Sequence, residues 1–341
     1  MPRLKVVKAH GSRNVILVAD GAPDETFVAA DLPRAVRRLC DWKDGFGSDG
    51  IYFVKDADDG TMNAWFFNPD GSYSLLCGNG MRAAGRLMLD RHQAEQMVLR
   101  SGPYAFTVRA AETTAQGVRQ VAVELPAVNF TPHDPIVAGV AWPYVDQVNP
   151  AYSSQRTVTA LALPNSHLIS VVDSYNEAEL VAVGSKVADD SANFPLGANV
   201  SFVQQLGEDE VFIRTYERGA ELTESCGSGV SASRAALSRL GLVDPDAHVL
   251  VRNPGGPSRS WLQQTGDVWR PVLEGNATVV LRTEVDAADV LADTPLDVAA
   301  DTCTAEIDAF DALFQDNLKA LHAAGINPAV AQSPGRATGR R

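Results

Sequence analysis

Two short strings place a cysteine where a thiol can move protons: Cys77-Gly78-Asn79-Gly80 and Cys226-Gly227-Ser228-Gly229. Each is followed by a helical run of small and apolar residues, so each cysteine is expected in a glycine-rich turn at a helix N-terminus. The positive end of the helix dipole and the unpaired first-turn amides there favour thiolate over thiol. Inverting an α-carbon without a cofactor needs a base on one face and an acid on the other. Two such thiols supply that pair if the segments bearing them pack face to face. The backbone amides of Gly78-Asn79-Gly80 and of Gly227-Ser228-Gly229 can then hold the substrate carboxylate and stabilise developing carbanion charge.

A single cysteine of this kind is more often a small core residue. The argument rests on there being two, in matching places. The segment from Phe67 to Leu89 resembles that from Tyr216 to Ser238, with Cys77 on Cys226, Gly78 on Gly227 and Gly80 on Gly229. The alignment pairs Asn68 with Glu217. A second likeness, Gly11-Ser12-Arg13-Asn14-Val15 to Gly197-Ala198-Asn199-Val200, is read as a further equivalence between two halves.

Other chemistry finds less support. Cys40 and Cys303 read as structural. No Cys-x-x-Cys spacing or histidine cluster marks a metal site, and no cofactor is expected. Gly78-Asn79-Gly80 with Gly85 lacks dinucleotide-loop spacing. Ser225-Cys226-Gly227-Ser228-Gly229 does not fit a nucleophile elbow. His10 and His167 are further acid–base candidates, although a lone histidine is more often structural.

The elements that position the cysteines read mostly as strands. They are expected at residues 15–18, 51–54, 106–109, 120–125, 158–163, 168–172, 200–204, 249–252 and 278–282. Helices are expected over 32–42, with Asp31 as a cap, and over 177–186. The helices after the two cysteines are apolar around most of their circumference, which predicts enclosure by sheet. One half is expected over 1–130, with 272–285 returning to it, and the other over 131–271. Residues 286–341 read as a helical appendage with a disordered basic tail from Ser333. Its pattern of Ile307, Phe310, Leu313, Phe314, Leu318 and Leu321 ends at Gly325. Packing on the body is the ordinary reading, a partner surface the alternative.

The 341 residues carry 29 Lys and Arg against 42 Asp and Glu, a formal charge of −13. That balance disfavours nucleic acid and anionic membrane as partners. Without a signal-peptide h-region or a membrane-length apolar run, a cytoplasmic protein with no membrane partner is expected.

At these residues the chain resembles the diaminopimelate epimerase family over most of positions 4 to 282. The resemblance is carried by Asn68-Pro69-Asp70-Gly71-Ser72, Cys77-Gly78-Asn79-Gly80-Met81-Arg82, and Tyr216-Glu217-Arg218-Gly219 leading to Cys226-Gly227-Ser228-Gly229. Supporting pieces are His10-Gly11, Gly47-Ser48-Asp49-Gly50, Pro164-Asn165-Ser166-His167 and Pro195-Leu196-Gly197-Ala198-Asn199-Val200.

The resemblance implies an α/β (α+β) fold of two pseudo-symmetric domains, each a curved, mostly antiparallel sheet wrapped around a central helix, with the active site between them. It implies cofactor-independent interconversion of LL- and meso-diaminopimelate, in lysine and peptidoglycan precursor synthesis, by a homodimer. By motif position Cys77 and Cys226 would be the acid and base, and Gly78, Asn79, Gly227 and Ser228 the carboxylate anchors. Asn14, Asn68, Asn165, Asn199, Glu217 and Arg218 would bind the other polar groups of the small-molecule substrate. Arg218 suits the second carboxylate, and Glu217 with amide oxygens suits the ammonium.

The pattern departs from the family's usual Gly-x-Gly-Asn-Asp-Phe at Gly11-Ser12-Arg13-Asn14-Val15-Ile16, and from its Gly-Glu-Thr at Glu221-Leu222-Thr223. Tyr73 stands where glutamate is common, and Asn165-Ser166-His167 replaces Asn-Pro-His. These departures keep open a racemase of the same fold acting on another amino acid, such as a basic or imidazole one. A non-catalytic thiol-switch homologue is the third reading.

Overall fold

The computed structural model describes residues 3–292 and 294–330. The tail expected from Ser333 lies outside the described residues. Among the described residues the chain forms two compact units, residues 3–123 with 275–315 and residues 124–274 with 316–330.

The first unit runs β1 (Arg3–Gly11), β2 (Asn14–Asp20), α1 (Pro23–Thr26), α2 (Leu32–Cys40), β3 (Ile51–Asp56), β4 (Met62–Phe67), β5 (Tyr73–Ser74), α3 (Gly78–His92), β6 (Gln96–Ser101), β7 (Tyr104–Ala111) and β8 (Gln120–Glu124). β1 pairs antiparallel with β2, β2 parallel with β3, and β3 antiparallel with β4. β4 pairs antiparallel with β5 and parallel with β6, and β7 lies antiparallel between β6 and β8. The parallel β2–β3 step needs a long crossover. It is supplied by residues 21–50, whose helix α2 buries Ala35, Val36, Leu39 and Cys40 along one face.

The second unit repeats this order: β9 (Gln147–Asn149), β10 (Ser153–Ala162), β11 (Ser166–Val171), α4 (Glu177–Asp189), β12 (Asn199–Gly207), β13 (Glu210–Glu217), β14 (Glu221–Leu222), α5 (Gly227–Arg239), β15 (Val249–Asn253), β16 (Gly256–Thr265) and β17 (Val268–Asn276). From β10 to β16 the pairings are antiparallel, parallel, antiparallel, antiparallel to β14, parallel to β15, then antiparallel. That is the β1–β7 sequence again, with α2 and α3 answered by α4 and α5. The expected duplication, with mixed and mainly antiparallel sheet, is present.

The topology corrects one equivalence. Asn14 opens β2, whose counterpart is β11; Asn199 opens β12, whose counterpart is β3. By register Ile51 pairs with Phe67 as Val200 pairs with Tyr216, so Asn199 answers Gly50 and the string before β12 answers the one before β3. Gly47 and Gly197 share positive φ, +71° and +59°, a turn that glycine enters without Cβ strain. Both strings combine a glycine turn with an apolar strand, so short sequence likeness could not tell them apart.

Each central helix is nearly devoid of a solvent face. In α3 every residue from Asn79 to Leu89 is buried, and in α5 burial extends from Gly227 to Ser238 with Ser228 the exception. α3 packs on β1, β2, β3, β6 and β7, and α5 on β10 to β13 and β16. Burying Met81, Leu87 or Met88 contributes about 1.5–3 kcal/mol each. Gly241 follows α5 as expected, with the Leu242 N–H donating to the Leu237 carbonyl at 3.0 Å. Asp31 does not cap α2: it has helical φ and ψ and makes no side-chain cap bond. That helix ends at Cys40 rather than Trp42.

The segment from Thr278 onward adds strands beside β1 before its helices begin. β18 (Thr278–Asp286) pairs with β1 on one side and, on the other, with β19 (Ala300–Thr302). Helix α6 (Ala287–Leu291) places Ala287 and Val290 in the core with Leu4, Phe27 and Val285. Helix α7 (Thr304–Ala323) buries Ile307, Phe310, Leu313, Phe314 and Leu321 within the chain. Of the stripe read from sequence, Leu318 alone is only half-buried. No helix among the described residues is long and apolar enough to cross a membrane.

Candidate active site

In the first unit Cys77 is the N-cap of α3, half-buried, with extended φ and ψ. The four N–H groups at a helix start have no partner within the helix, so Gly78, Asn79 and Gly80 present amides beside the sulfur. Tyr52 of β3 holds this turn: its hydroxyl accepts the Cys77 N–H at 3.0 Å and donates to the Cys77 carbonyl at 3.3 Å. Burial raises the Tyr52 phenol well above its usual range, which keeps it a donor. The Cys77 thiol donates to Asn14 Oδ1 at 3.4 Å. Asp49 fixes Asn14, accepting from its Nδ2 at 3.3 Å and from the Val15 N–H at 2.9 Å. Asn68 bonds Ser72 Oγ at 2.9 Å across the Pro69-Asp70-Gly71 turn.

Below this turn lies Arg82, fully buried. Its Nε donates to the Asn276 carbonyl and its Nη2 to Ser12 Oγ, both at 3.2 Å. No carboxylate among the described residues pairs with it. Burial lowers its pKa to about 10, still cationic at neutral pH, and the charge acting back on it is that of the Cys77 sulfur.

In the second unit Cys226 is the N-cap of α5 and is buried. Its sulfur accepts the Gly229 N–H at 3.3 Å and donates to Glu217 Oε2 at 3.0 Å, with Ser228 Oγ 3.6 Å away. Thr223 donates to the other Glu217 oxygen. Asn165 donates to Ser228 Oγ at 3.1 Å and bonds His167 Nε2 through its own oxygen at 3.0 Å. Cys226, Glu217, Ser228 and Asn165 thus form one connected set. Asn199 accepts the Arg218 N–H at 2.9 Å, while the exposed Arg218 guanidinium donates to the Leu196 carbonyl.

The helix-terminus argument for thiolate does not hold at Cys226. Burial raises its thiol well above the ordinary range, and the Glu217 carboxylate raises it further. Burial also raises Glu217, against its bonds from Cys226 and Thr223. The dipole of one helix is a weaker influence than loss of solvent and a carboxylate at 3.0 Å. Each Glu217 oxygen accepts one of these bonds, Oε2 from the sulfur and Oε1 from Thr223. Neither Tyr52 nor Arg82 is marked as a site residue by sequence; the signal is the strand before Cys77 for Tyr52 and, for Arg82, its place in the string Cys77-Gly78-Asn79-Gly80-Met81-Arg82.

Both buried histidines are neutral imidazoles at neutral pH. Burial lowers each to about 3, aided at His10 by Arg13, Arg82 and Lys8. Both are neutral in the fold but take up protons near histidine's ordinary value of 6.5 when unfolded. The unfolded state therefore binds more protons between about pH 6.5 and 3, and stability falls as pH falls through that window. Urea melts at pH 7 and pH 4.5 should show a lower midpoint at the acid value. His167→Asn should flatten that dependence; an unchanged slope would refute the assignment. Cys40 is likewise structural, its thiol raised to about 12 by burial. Among the described residues no group of His, Cys, Asp or Glu is arranged to hold a metal ion.

Solved structures share this fold at low sequence identity. A Bacillus anthracis phenazine biosynthesis protein of the PhzF family matches with TM-score 0.61 and 13% identity, covering 84% of this chain and 99% of that one. A hydroxyproline epimerase from Agrobacterium vitis matches with TM-score 0.57 and 14% identity, covering 84% and 92%. The fold is thus shared with both of these proteins. The family description "Diaminopimelate epimerase" matches residues 6–122 and 159–280. The diaminopimelate epimerase of Enterococcus faecalis is 33% identical over 294 residues, covering 83% of this chain and 90% of that protein. That of Clostridium acetobutylicum is 28% identical over 280 residues, covering 81% and 84%. The chain belongs to the diaminopimelate epimerase family and is an isomerase.

Proposed function

We propose that this enzyme interconverts LL- and meso-diaminopimelate by cofactor-independent two-base proton transfer, with Cys77 and Cys226 as the two groups. The observation that carries this reading is the Cys226–Glu217 hydrogen bond, which keeps one thiol protonated and ready to donate. Its counterpart Cys77 sits at the matching helix start, where its sulfur and the buried Arg82 cation act on one another. A base and an acid of this kind must address the α-carbon from opposite faces. Cys77 removes the α-hydrogen, and Cys226 delivers its proton to the other face as Glu217 stabilises the donor. The first-turn amides at Gly78, Asn79, Gly227 and Ser228 bind the α-carboxylate and its developing charge.

Asn14, Asn68, Asn165, Asn199 and the exposed Arg218 guanidinium are assigned to the remaining polar groups, Arg218 to the distal carboxylate. The product would feed lysine and peptidoglycan precursor synthesis. A cytoplasmic homodimer belongs to the same reading. The test is incubation with LL-diaminopimelate in D₂O, following meso isomer and deuterium at Cα. Both should accumulate; turnover of another free amino acid with none of diaminopimelate would replace this substrate.

A further inference from the structure

The turn that carries Asn14 is built from residues ill suited to it. Ser12 and Arg13, which alone link β1 to β2, have φ of +50° and +65°. Two-residue hairpins with both residues left-handed favour Asn-Gly or Gly-Gly, because a side chain crowds its own backbone there. Such a turn persists only when its surroundings hold it. Ser12 is held from the sheet: its N–H donates to Asn276 Oδ1 at 2.7 Å, and Arg82 donates to its hydroxyl.

Arg13 is engaged from α7. Its guanidinium carbon lies 4.5 Å from the centroid of the Phe314 ring. One turn earlier Phe310 meets the His10 ring edge-on at 4.4 Å. One turn earlier again, Glu306 binds Arg86 of α3 through both oxygens and accepts the Val279 N–H at 2.9 Å. Glu306, Phe310 and Phe314 are spaced four apart, on one face of a helix. That face touches the cysteine-bearing helix, the strand before the turn and the turn itself. All three residues lie beyond position 280, where the match to the family ends.

We propose that α7 is a positioning element for Cys77: by seating Arg13 on Phe314 it keeps the left-handed turn, and with it Asn14, against the sulfur. The proposal rests on the reading that Cys77 transfers protons, but its test has a readout independent of substrate. Phe314→Ala is expected to lower kcat for diaminopimelate about tenfold, with KM within about twofold, because misplacing a reacting group costs turnover more than binding. Glycine enters positive φ unaided. In an Arg13→Gly background the same change should therefore cost less than about twofold, an interaction that a double-mutant cycle measures.

Phe314→Leu, which keeps apolar bulk without the ring face, decides the matter if the alanine variant does not fold. The independent readout is the rate of Cys77 alkylation by iodoacetamide in a Cys226→Ser background, followed by peptide mass. It should change about threefold or more with Phe314→Ala or Phe314→Leu. Unchanged alkylation, or an equal kcat loss in both Arg13 backgrounds, overturns the proposal. A changed alkylation rate without turnover of diaminopimelate by any variant supports it while removing the substrate assignment.

Discussion

Serine in place of Cys77 or Cys226 is expected to lower diaminopimelate isomerisation by about 10²–10⁴-fold, the range for losing a general acid or base. A hydroxyl is a far weaker acid than a thiol, so serine neither becomes the anion that takes the α-hydrogen nor gives up a proton as readily. The two sulfurs act in one event, so the losses should not multiply, and the double variant should be about as slow as the slower single one. Isotope exchange separates this from a general folding defect. A variant that keeps one thiol can still remove and return hydrogen on one face. In D₂O it should wash hydrogen out of one stereoisomer without inverting it, and the two variants should favour opposite stereoisomers. Exchange from both stereoisomers by a single-cysteine variant, at the rate of the unaltered enzyme, would show that the other sulfur has no part in the chemistry.

The cysteines are legible in the sequence because the signal there is local: a strand, a turn, a glycine-rich helix start, repeated once. Enclosure of α3 and α5 follows from residues with no polar stripe, such as Met81, Ala84, Leu87 and Met88. The features that escape a sequence reading depend on distant partners. Arg82 is one residue of an apolar helix until Ser12 and Asn276 are brought to it, the latter from 194 positions away. Tyr52 is one apolar strand residue among several until its hydroxyl is seen to bracket the Cys77 peptide. Where the helical appendage expected over 286–341 packs depends on distant partners in the same way. Nothing in the pattern of Ile307, Phe310 and Phe314 says that the face they form will meet β1 and α3. The mistaken pairing of Asn14 with Asn199 shows the limit of short likeness: each opens a strand after a turn, and only the order of parallel and antiparallel pairings tells which strand.

That pseudo-symmetry makes its exceptions informative, and the second large effect follows from one of them. Position 68 is an amide occupied with Ser72, while its counterpart 217 is a carboxylate bonded to the cysteine. Position 82 is a buried cation, while its counterpart is Ser231, whose hydroxyl donates to the Gly227 carbonyl. One sulfur thus has positive charge near it and the other negative, which is how one pair of like residues is set to different tasks. Glu217→Gln removes the carboxylate but keeps the size and a hydrogen-bonding group. Isomerisation should fall about 10²-fold or more, since Cys226 loses the negative charge that holds its proton and steadies the donor. The titration should move the other way from the activity. A negative charge raises a neighbouring thiol, so a neutral amide in place of the carboxylate should let Cys226 ionise at lower pH. Iodoacetamide alkylation of Cys226 against pH, in a Cys77→Ser background, reads this directly, and its midpoint should drop relative to the protein with Glu217. A midpoint that rises or stays put, with activity retained, would mean that the carboxylate is a structural ligand of Thr223 and the cysteine works without it.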